Sequence, residues 1–192
     1  MKPWSHTHRP ANTRAVTRRR ILQFGAMASL SLALAPRAVF AGNAPARTLS
    51  FHNLHTGENL KTTFWADGGY VPEAMREIDW LLRDFRNGDV KTMDPALLDL
   101  LHALQGRLET KSPIRVISGY RSPATNALLH ERSQAVASKS FHTKGRAIDI
   151  SLADRDLAHL HRAALSLRAG GVGYYPSSDF IHVDTGPVRR WG

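Results

Sequence analysis

The sequence contains no cysteine. A disulfide framework and a thiolate metal site are therefore excluded, and so is chemistry on a cysteine nucleophile. Any metal must be held by histidine and carboxylates, and the fold must be stabilised by its core alone. There is no internal repeat and no long low-complexity tract. Long apolar runs are lacking too. The longest, Ile21 to Ala35, carries Gly25, Ser29 and Ser31 and falls short of the about 20 apolar residues a membrane-spanning helix needs. Acids are absent from residues 1–41, which hold Lys2, Arg9, Arg14, Arg18, Arg19, Arg20 and Arg37.

That asymmetry explains the formal charge of +10. Removing the seven leader bases from the 26 leaves 19 against 16 acids, a net of +3. The basicity sits mostly in a leader, so the high pI does not point to nucleic acid. The remaining charge is compatible with an anionic polymer as partner. At 42 % hydrophobic and 22 % charged the composition is ordinarily globular. The length of 192 residues argues for one domain behind a targeting segment.

Thr17-Arg18-Arg19-Arg20-Ile21-Leu22-Gln23 resembles the twin-arginine export signal. Val39-Phe40-Ala41 then places small residues at the −3 and −1 positions of a cleavage site. The expected organisation is a signal peptide over 1–41, cleaved after Ala41 or retained as an anchor, a lead-in over 42–47 and one domain over 48–192. The resemblance implies export to the periplasm in a folded state, which suits a metal loaded beforehand. No membrane span is expected in the mature chain.

Within the mature chain, Thr48–Leu54 and Leu60–Trp65 read as strands around a Thr56–Asn59 turn. Pro72–Arg86 reads as a helix, with Met75, Ile78, Leu81, Leu82 and Phe85 at helical spacing. Asp94-Pro95 caps a second helix that runs to about Leu108. Ile114–Ser118 is a short apolar strand, and Pro123 to about Ser133 is helical. Residues 134–143 read as a loop. Ala147–Leu152 is a strand, a helix opens at Asp154 and ends near Gly170, and Val172–Tyr175 and Phe180–Thr185 are the last strands. The order β-β-α-α-β-α-β-α-β-β indicates an α+β domain, with helices packed on a small, mostly antiparallel sheet.

Three segments carry residues out of place for pure packing. On the strand from Ala147, Ile148 and Ile150 face one way and Asp149 the other. A carboxylate between two core isoleucines needs a cation or several donors. His142 stands just before this strand, across a turn permitted by Gly145. In Phe180-Ile181-His182-Val183-Asp184 the histidine and Asp184 share one face, and Ile181 and Val183 the other. If the two strands are neighbours, two histidines and an aspartate meet, a usual catalytic zinc set. Such an ion lowers the pKa of water to about 7 and polarises a carbonyl. The third segment, Ser118-Gly119-Tyr120-Arg121-Ser122, ends an apolar strand, and Arg121 is suited to stabilise developing charge on a carbonyl oxygen.

Ser140-x-His142-x-x-Gly145-x-Ala147-x-Asp149 matches the S-x-H-x-x-G-x-A-x-D signature of the zinc D-Ala-D-Ala peptidases, the superfamily of the dipeptidase VanX and the hedgehog domain. Phe180 to Arg189 and Asn53 to Glu58 resemble the closing motif and the N-terminal hairpin of the MepK-like murein endopeptidases, so the likeness covers most of residues 48–191. The resemblance implies a hedgehog/D-Ala-D-Ala-peptidase-like fold, Zn2+ held by His142, Asp149 and His182, and a peptidoglycan substrate whose amide bonds are cut. In the carboxypeptidase branch the general base is a Glu three residues before the last ligand; here that position is Asp179. Asp184 is the rival, as the base itself or as a carboxylate orienting His182. The tryptophan that branch has before its last histidine is Ile181 here. Ser140 and Tyr120 are candidates for substrate binding, and Ser140 equally for capping the loop.

Blander readings stand beside these. Asp149 is alternatively a structural partner of Arg121. His52, His55, His102, His130, His159 and His161 lack a matching context, and Trp65, Trp80 and Trp191 read as packing. A non-catalytic, zinc-containing peptidoglycan-binding module is the alternative function, distinguished by the lack of a competent base.

Overall fold

A computed structural model describes residues 45–133 and 136–192. The signal peptide expected over 1–41, its cleavage point and the start of the lead-in lie outside the described residues. The elements are β1 (Arg47–Asn53), β2 (Asn59–Ala66), β3 (Gly69–Tyr70), α1 (Pro72–Leu81), α2 (Pro95–Arg107), β4 (Ile114–Ser118), α3 (Pro123–Arg132), β5 (Ala147–Leu152), α4 (Leu157–Leu167), β6 (Gly171–Tyr175), β7 (Phe180–Asp184) and β8 (Arg189–Trp191). A 3-10 helix, Phe141–Lys144, leads into β5. No helix among the described residues is long and apolar enough to cross a membrane.

The eight strands form one sheet in the order β3-β2-β1-β4-β5-β7-β6-β8. The domain is α+β as expected, but the sheet, though mostly antiparallel, is mixed and larger than the small one expected. Most neighbours are antiparallel, whereas β1 with β4 and β6 with β8 are parallel. Both exceptions come from crossings. Two helices separate β3 from β4, so the chain returns in the direction of β1. β8 reverses the direction of β7 but lands on the far side of β6, which makes it parallel to β6. The two unforeseen strands, β3 and β8, have two and three residues, too few for an alternation to register.

Core packing follows the predicted faces. Phe51 and Leu49 of β1, Ile148 and Ile150 of β5, and Ile181 and Val183 of β7 join Leu97, Leu101 and Leu160 from the helices in one buried cluster. α4 packs on β5, β6 and β7, and α2 on β1. All six residues of β5 are buried, so its polar face is covered as well as its apolar one.

α1 stops at Leu81, five residues short of the sequence expectation. Tertiary contacts claim the carbonyls that would continue it. Leu81 O accepts from Asn53 Nδ2 at 3.0 Å, and Leu82 O accepts from Tyr120 N at 2.7 Å. α4 opens at Leu157 rather than Asp154. Asp156 caps it, while the Asp154 carboxylate accepts from the Thr110 hydroxyl at 2.7 Å.

Fully buried Asp84 organises the loop after α1. Its carboxylate accepts from Ser122 N at 2.9 Å and Arg86 N at 3.1 Å. Burial alone would raise its pKa, but these donors and the Thr125 hydroxyl hold it below the usual carboxylate range. Ser122 caps α3 and follows Arg121, so this carboxylate fixes the approach to the site. Asp84→Ala is expected to lower stability at neutral pH by about 2–4 kcal/mol, from lost charge-assisted bonds and stranded amides. A depressed folded pKa stabilises above the unfolded value of about 3.9. The contribution is lost as pH falls through the folded pKa. Urea unfolding should therefore show the gap between wild type and Asp84→Asn closing below about pH 4; a gap independent of pH would contradict the assignment.

Candidate metal centre

β5 and β7 are adjacent and antiparallel, with Asp149 directly opposite His182. Strand alternation puts both on the face away from the helices, since Ile148, Ile150, Ile181 and Val183 fill the core. On the other side of β5, β4 shifts register between Val116 and Ser118, which sets Ser118 against Asp149.

His142 arrives from the 3-10 helix. Ser140 caps that helix, its hydroxyl accepting from His142 N. Gly145 ends it in the left-handed region at φ 66°. A Cβ there would sit 2.5 Å from Thr92 O, so conformation and space both require glycine. Asp94 N donates to Gly145 O at 2.8 Å, tying the turn to the start of α2.

His142 Nε2, Asp149 Oδ1 and His182 Nδ1 converge. The nitrogens lie 3.2 and 2.9 Å from the carboxylate oxygen and 3.1 Å from each other. All three side chains are buried. Outer partners fix both imidazoles. His142 Nδ1 is 2.7 Å from Gly119 O, and a carbonyl only accepts, so the proton is on Nδ1. His182 Nε2 is 3.0 Å from Asp184 Oδ2 and donates to it. In neutral rings, Nε2 of His142 and Nδ1 of His182 are then bare. Three lone-pair atoms meet with no hydrogen among them, which is unfavourable unless a cation lies between. Tetrahedral zinc with bonds of about 2.0–2.1 Å spaces its ligand atoms by about 3.3 Å, so the donor set fits such an ion.

The electrostatics agree. Burial pushes His142 down, towards the neutral ligand form. Burial would raise the Asp149 carboxyl, but His142 and His182 beside it hold it well below the usual range. Burial lowers His182, and hydrogen bonds to Asp149 and Asp184 outweigh it, so its pKa is raised. A proton there stands where a cation would.

Asp184 is wholly inaccessible and saturated. Besides His182, it accepts from Gly171 N at 3.1 Å, Gly186 N at 2.8 Å, and both terminal nitrogens of Arg189 at 3.0 and 2.6 Å. Burial opposes its ionisation, but these donors keep it well below the usual range. Asp179 is its opposite. It is exposed, adopts φ 52° at the turn between β6 and β7, and its carboxylate has no hydrogen bond or ion pair among the described residues. Its neighbours Ser178 and Phe180 line the cavity of about 530 Å3 over His142, Asp149 and His182.

Arg121 lines that cavity too. Its Nη2 is 3.6 Å from Asp149 Oδ2, with long contacts of 3.4 Å to Ser118 and Asn126. Buried Nε has no partner among the described residues, leaving the guanidinium with donors to spare. Ser140 is on the cavity wall. Tyr120 is not; it packs against the core. Sequence reasoning missed Gly119 O, Arg189 and Trp191. The indole of Trp191 lies 5.2 Å from the His182 ring and lines the cavity. No local pattern marks these, because their partners come from other elements.

Comparison with known proteins gives a consistent result. A family profile described as peptidoglycan L,D-endopeptidase MepK matches residues 41–191. The peptidoglycan L,D-endopeptidase MepK of Escherichia coli K12 is 47 % identical over 176 residues, covering 91 % of this chain and 96 % of that protein. Its Shigella flexneri counterpart gives the same figures. The probable peptidoglycan L,D-endopeptidase MepK of Haemophilus influenzae is 43 % identical over 177 residues, covering 91 % and 95 %.

One equivalent of zinc is expected to bind the purified protein. His142→Ala, Asp149→Ala and His182→Ala should each weaken it by more than about 100-fold, beyond the 10–100-fold typical of an outer partner. Competition with a chromogenic chelator measures this. Equal zinc affinity in wild type and all three variants would remove the metal centre.

Proposed function

The chain belongs to the peptidoglycan L,D-endopeptidase MepK family, and from that premise we propose that it is a zinc-dependent endopeptidase. It cleaves amide bonds in peptidoglycan stem peptides or their cross-links during cell-wall remodelling. The names of its relatives narrow the bond to one of L,D type. The observation that carries the reading is the meeting of three bare ligand atoms whose outer partners fix both histidine tautomers. Kinship with the D-Ala-D-Ala peptidase and hedgehog superfamily is supported by the α+β architecture together with the Ser140-to-Asp149 signature.

His142, Asp149 and His182 would hold the ion; zinc bound there would lower the pKa of water towards neutrality and polarise the scissile carbonyl. The residues around it do the rest. Asp184 keeps the proton of His182 on Nε2, so that Nδ1 points into the site. Arg121 directs its unspent donors at the carbonyl oxygen as charge develops there. Asp179 accepts a proton from the nucleophilic water on its free carboxylate and delivers it to the leaving amine nitrogen. Hydrogen-bond accounting favours Asp179 over Asp184 as the base, since Asp184 has no lone pair or access left. Ser140 shapes the cavity wall as it caps the 3-10 helix.

Periplasmic location by the twin-arginine route belongs to the same proposal. It is supported by the Arg18-Arg19 motif, and by a family match that begins at residue 41, where cleavage is expected. A folded export route suits a domain whose metal centre joins parts of the chain 40 residues apart.

Digestion of purified sacculi, analysed by mass, tests the activity. Zinc-loaded protein should convert cross-linked dimers to monomers, and a chelator should stop it. Asp179→Asn should retain zinc yet lose about 10²–10⁴-fold in kcat, the range for a general base. Dimers that persist with zinc-loaded wild type would overturn the enzymatic reading.

A further inference from the structure

Strand β6 lies between β7, which carries His182 and Asp184, and the C-terminal strand β8. In the parallel register of β6 and β8, Gly171 pairs with Arg189 and Gly173 with Trp191. Side chains from β8 reach β7 only by crossing β6, and they cross at these glycines. A Cβ on Gly171 would lie 2.4 Å from Arg189 Nη1, and one on Gly173 2.6 Å from Trp191 Cε2. Neither glycine has a positive φ. The backbone conformation does not demand glycine at either position; the space above it does.

What crosses is aimed at the metal site. Arg189 grips Asp184 with two nitrogens, and Asp184 holds His182 Nε2. The same guanidinium lies 5.1 Å from the Phe141 ring, one residue before His142. Trp191 sets its indole against His182, and its Nε1 donates to Tyr175 Oη at 2.8 Å. Tyr175 in turn stacks on Phe180 at 4.6 Å. The indole is therefore fixed at its far edge, with its ring 5.2 Å from that of His182 and tilted 52° to it. The imidazole has one neighbour through its N–H and another through its ring.

We propose that Arg189 and Trp191 form a positioning clamp on the metal centre, passing over Gly171 and Gly173 to fix His182 in its ligating orientation. This rests on the reading of His142, Asp149 and His182 as metal ligands. Arg189 acts through Asp184 and Trp191 through ring contact, so neither is a catalytic residue. The three-residue strand thus serves the site as well as the sheet edge.

The test measures zinc affinity by chelator competition in the full chain, beside thermal unfolding of the metal-free protein. Trp191→Ala and Arg189→Ala should each weaken zinc by about 10–100-fold, the effect typical of outer partners of a ligand. Gly173→Ala should do the same with both clamp residues intact, because the added methyl displaces the indole. Trp191→Phe, which keeps a ring beside His182, should restore affinity to within a few-fold of wild type. The d–d spectrum of the cobalt-loaded protein should shift in Gly173→Ala and not in Trp191→Phe. A sheet-edge role alone predicts lower unfolding temperatures with unchanged zinc affinity and cobalt spectrum, and that result overturns the clamp. Should Trp191→Ala fail to fold, the contrast between Gly173→Ala and Trp191→Phe decides. If wild type and His142→Ala bind zinc equally, the ligand assignment itself is lost, a different outcome from wild-type binding that the clamp variants leave untouched.

Discussion

The structure is organised around one buried carboxylate. Asp149 lies in a central strand with isoleucines on both sides, 6 % exposed. An ionised carboxylate there is tolerable only with compensation. It comes from His182 across the strand pair, His142 from the preceding turn and Arg121 from the end of β4. Each contributor depends on a different feature: the β5–β7 register, the left-handed turn at Gly145, and the loop held by Asp84. The pairing of β5 with β7 is the condition for the first of them, which sets His182 opposite Asp149. Chain neighbours do not supply it, because α4 and β6 intervene.

The outer partners make that compensation a candidate cation site. A histidine opposite a carboxylate ordinarily makes a hydrogen bond, and nothing more need be inferred. Here Gly119 O accepts from His142 Nδ1 and Asp184 accepts from His182 Nε2, so in the neutral rings the inner nitrogens face Asp149 as acceptors. Proton and metal compete for one position on His182, which is how ligand basicity and metal binding are linked. What separates a cation site from a structural salt bridge at this cluster is whether Nδ1 of His182 carries a proton or a metal. Arg121 contacts Asp149 at 3.6 Å but leaves Oδ1 to the histidines, so the salt bridge and the ligand set coexist.

The coming together of His142, Asp149 and His182 was legible in the sequence. Strand alternation is local, so Ile148-Asp149-Ile150 and Ile181-His182-Val183 reveal polar residues on strands with a core face. The family signature then joined His142 to them. What was not legible depends on contacts between distant elements. α1 ends early because Asn53 and Tyr120 claim its carbonyls. α4 opens late because Thr110 claims Asp154. Strands of two or three residues carry no period. Tyr120 follows an apolar strand beside Arg121 and so resembles a site residue, but its ring turns to the core. Trp191 reads as packing, and so it is; what it packs against is His182, and only the register of β8 on β6 reveals that.

The two aspartates near His182 show how surroundings suit one residue type to opposed roles. Both are within three positions of the ligand, and side-chain chemistry does not separate them. The backbone does. Asp184 ends a strand whose next turn brings Gly186 N onto it, with Gly171 N and Arg189 arriving from the neighbouring strands. Five donors saturate it, and its charge is fixed and inward. Asp179 adopts a left-handed conformation at the turn between β6 and β7, where it is exposed and its chain neighbours Ser178 and Phe180 line the cavity. A proton acceptor in turnover must exchange its proton with water and substrate, which requires unfilled lone pairs and access. An orienting group requires the reverse. Assigning both functions to one carboxylate would demand that Asp184 release His182 whenever it took a proton, disordering the ligand at the step that needs it. Separate residues avoid that conflict, and the hydrogen-bond inventory divides them along this line.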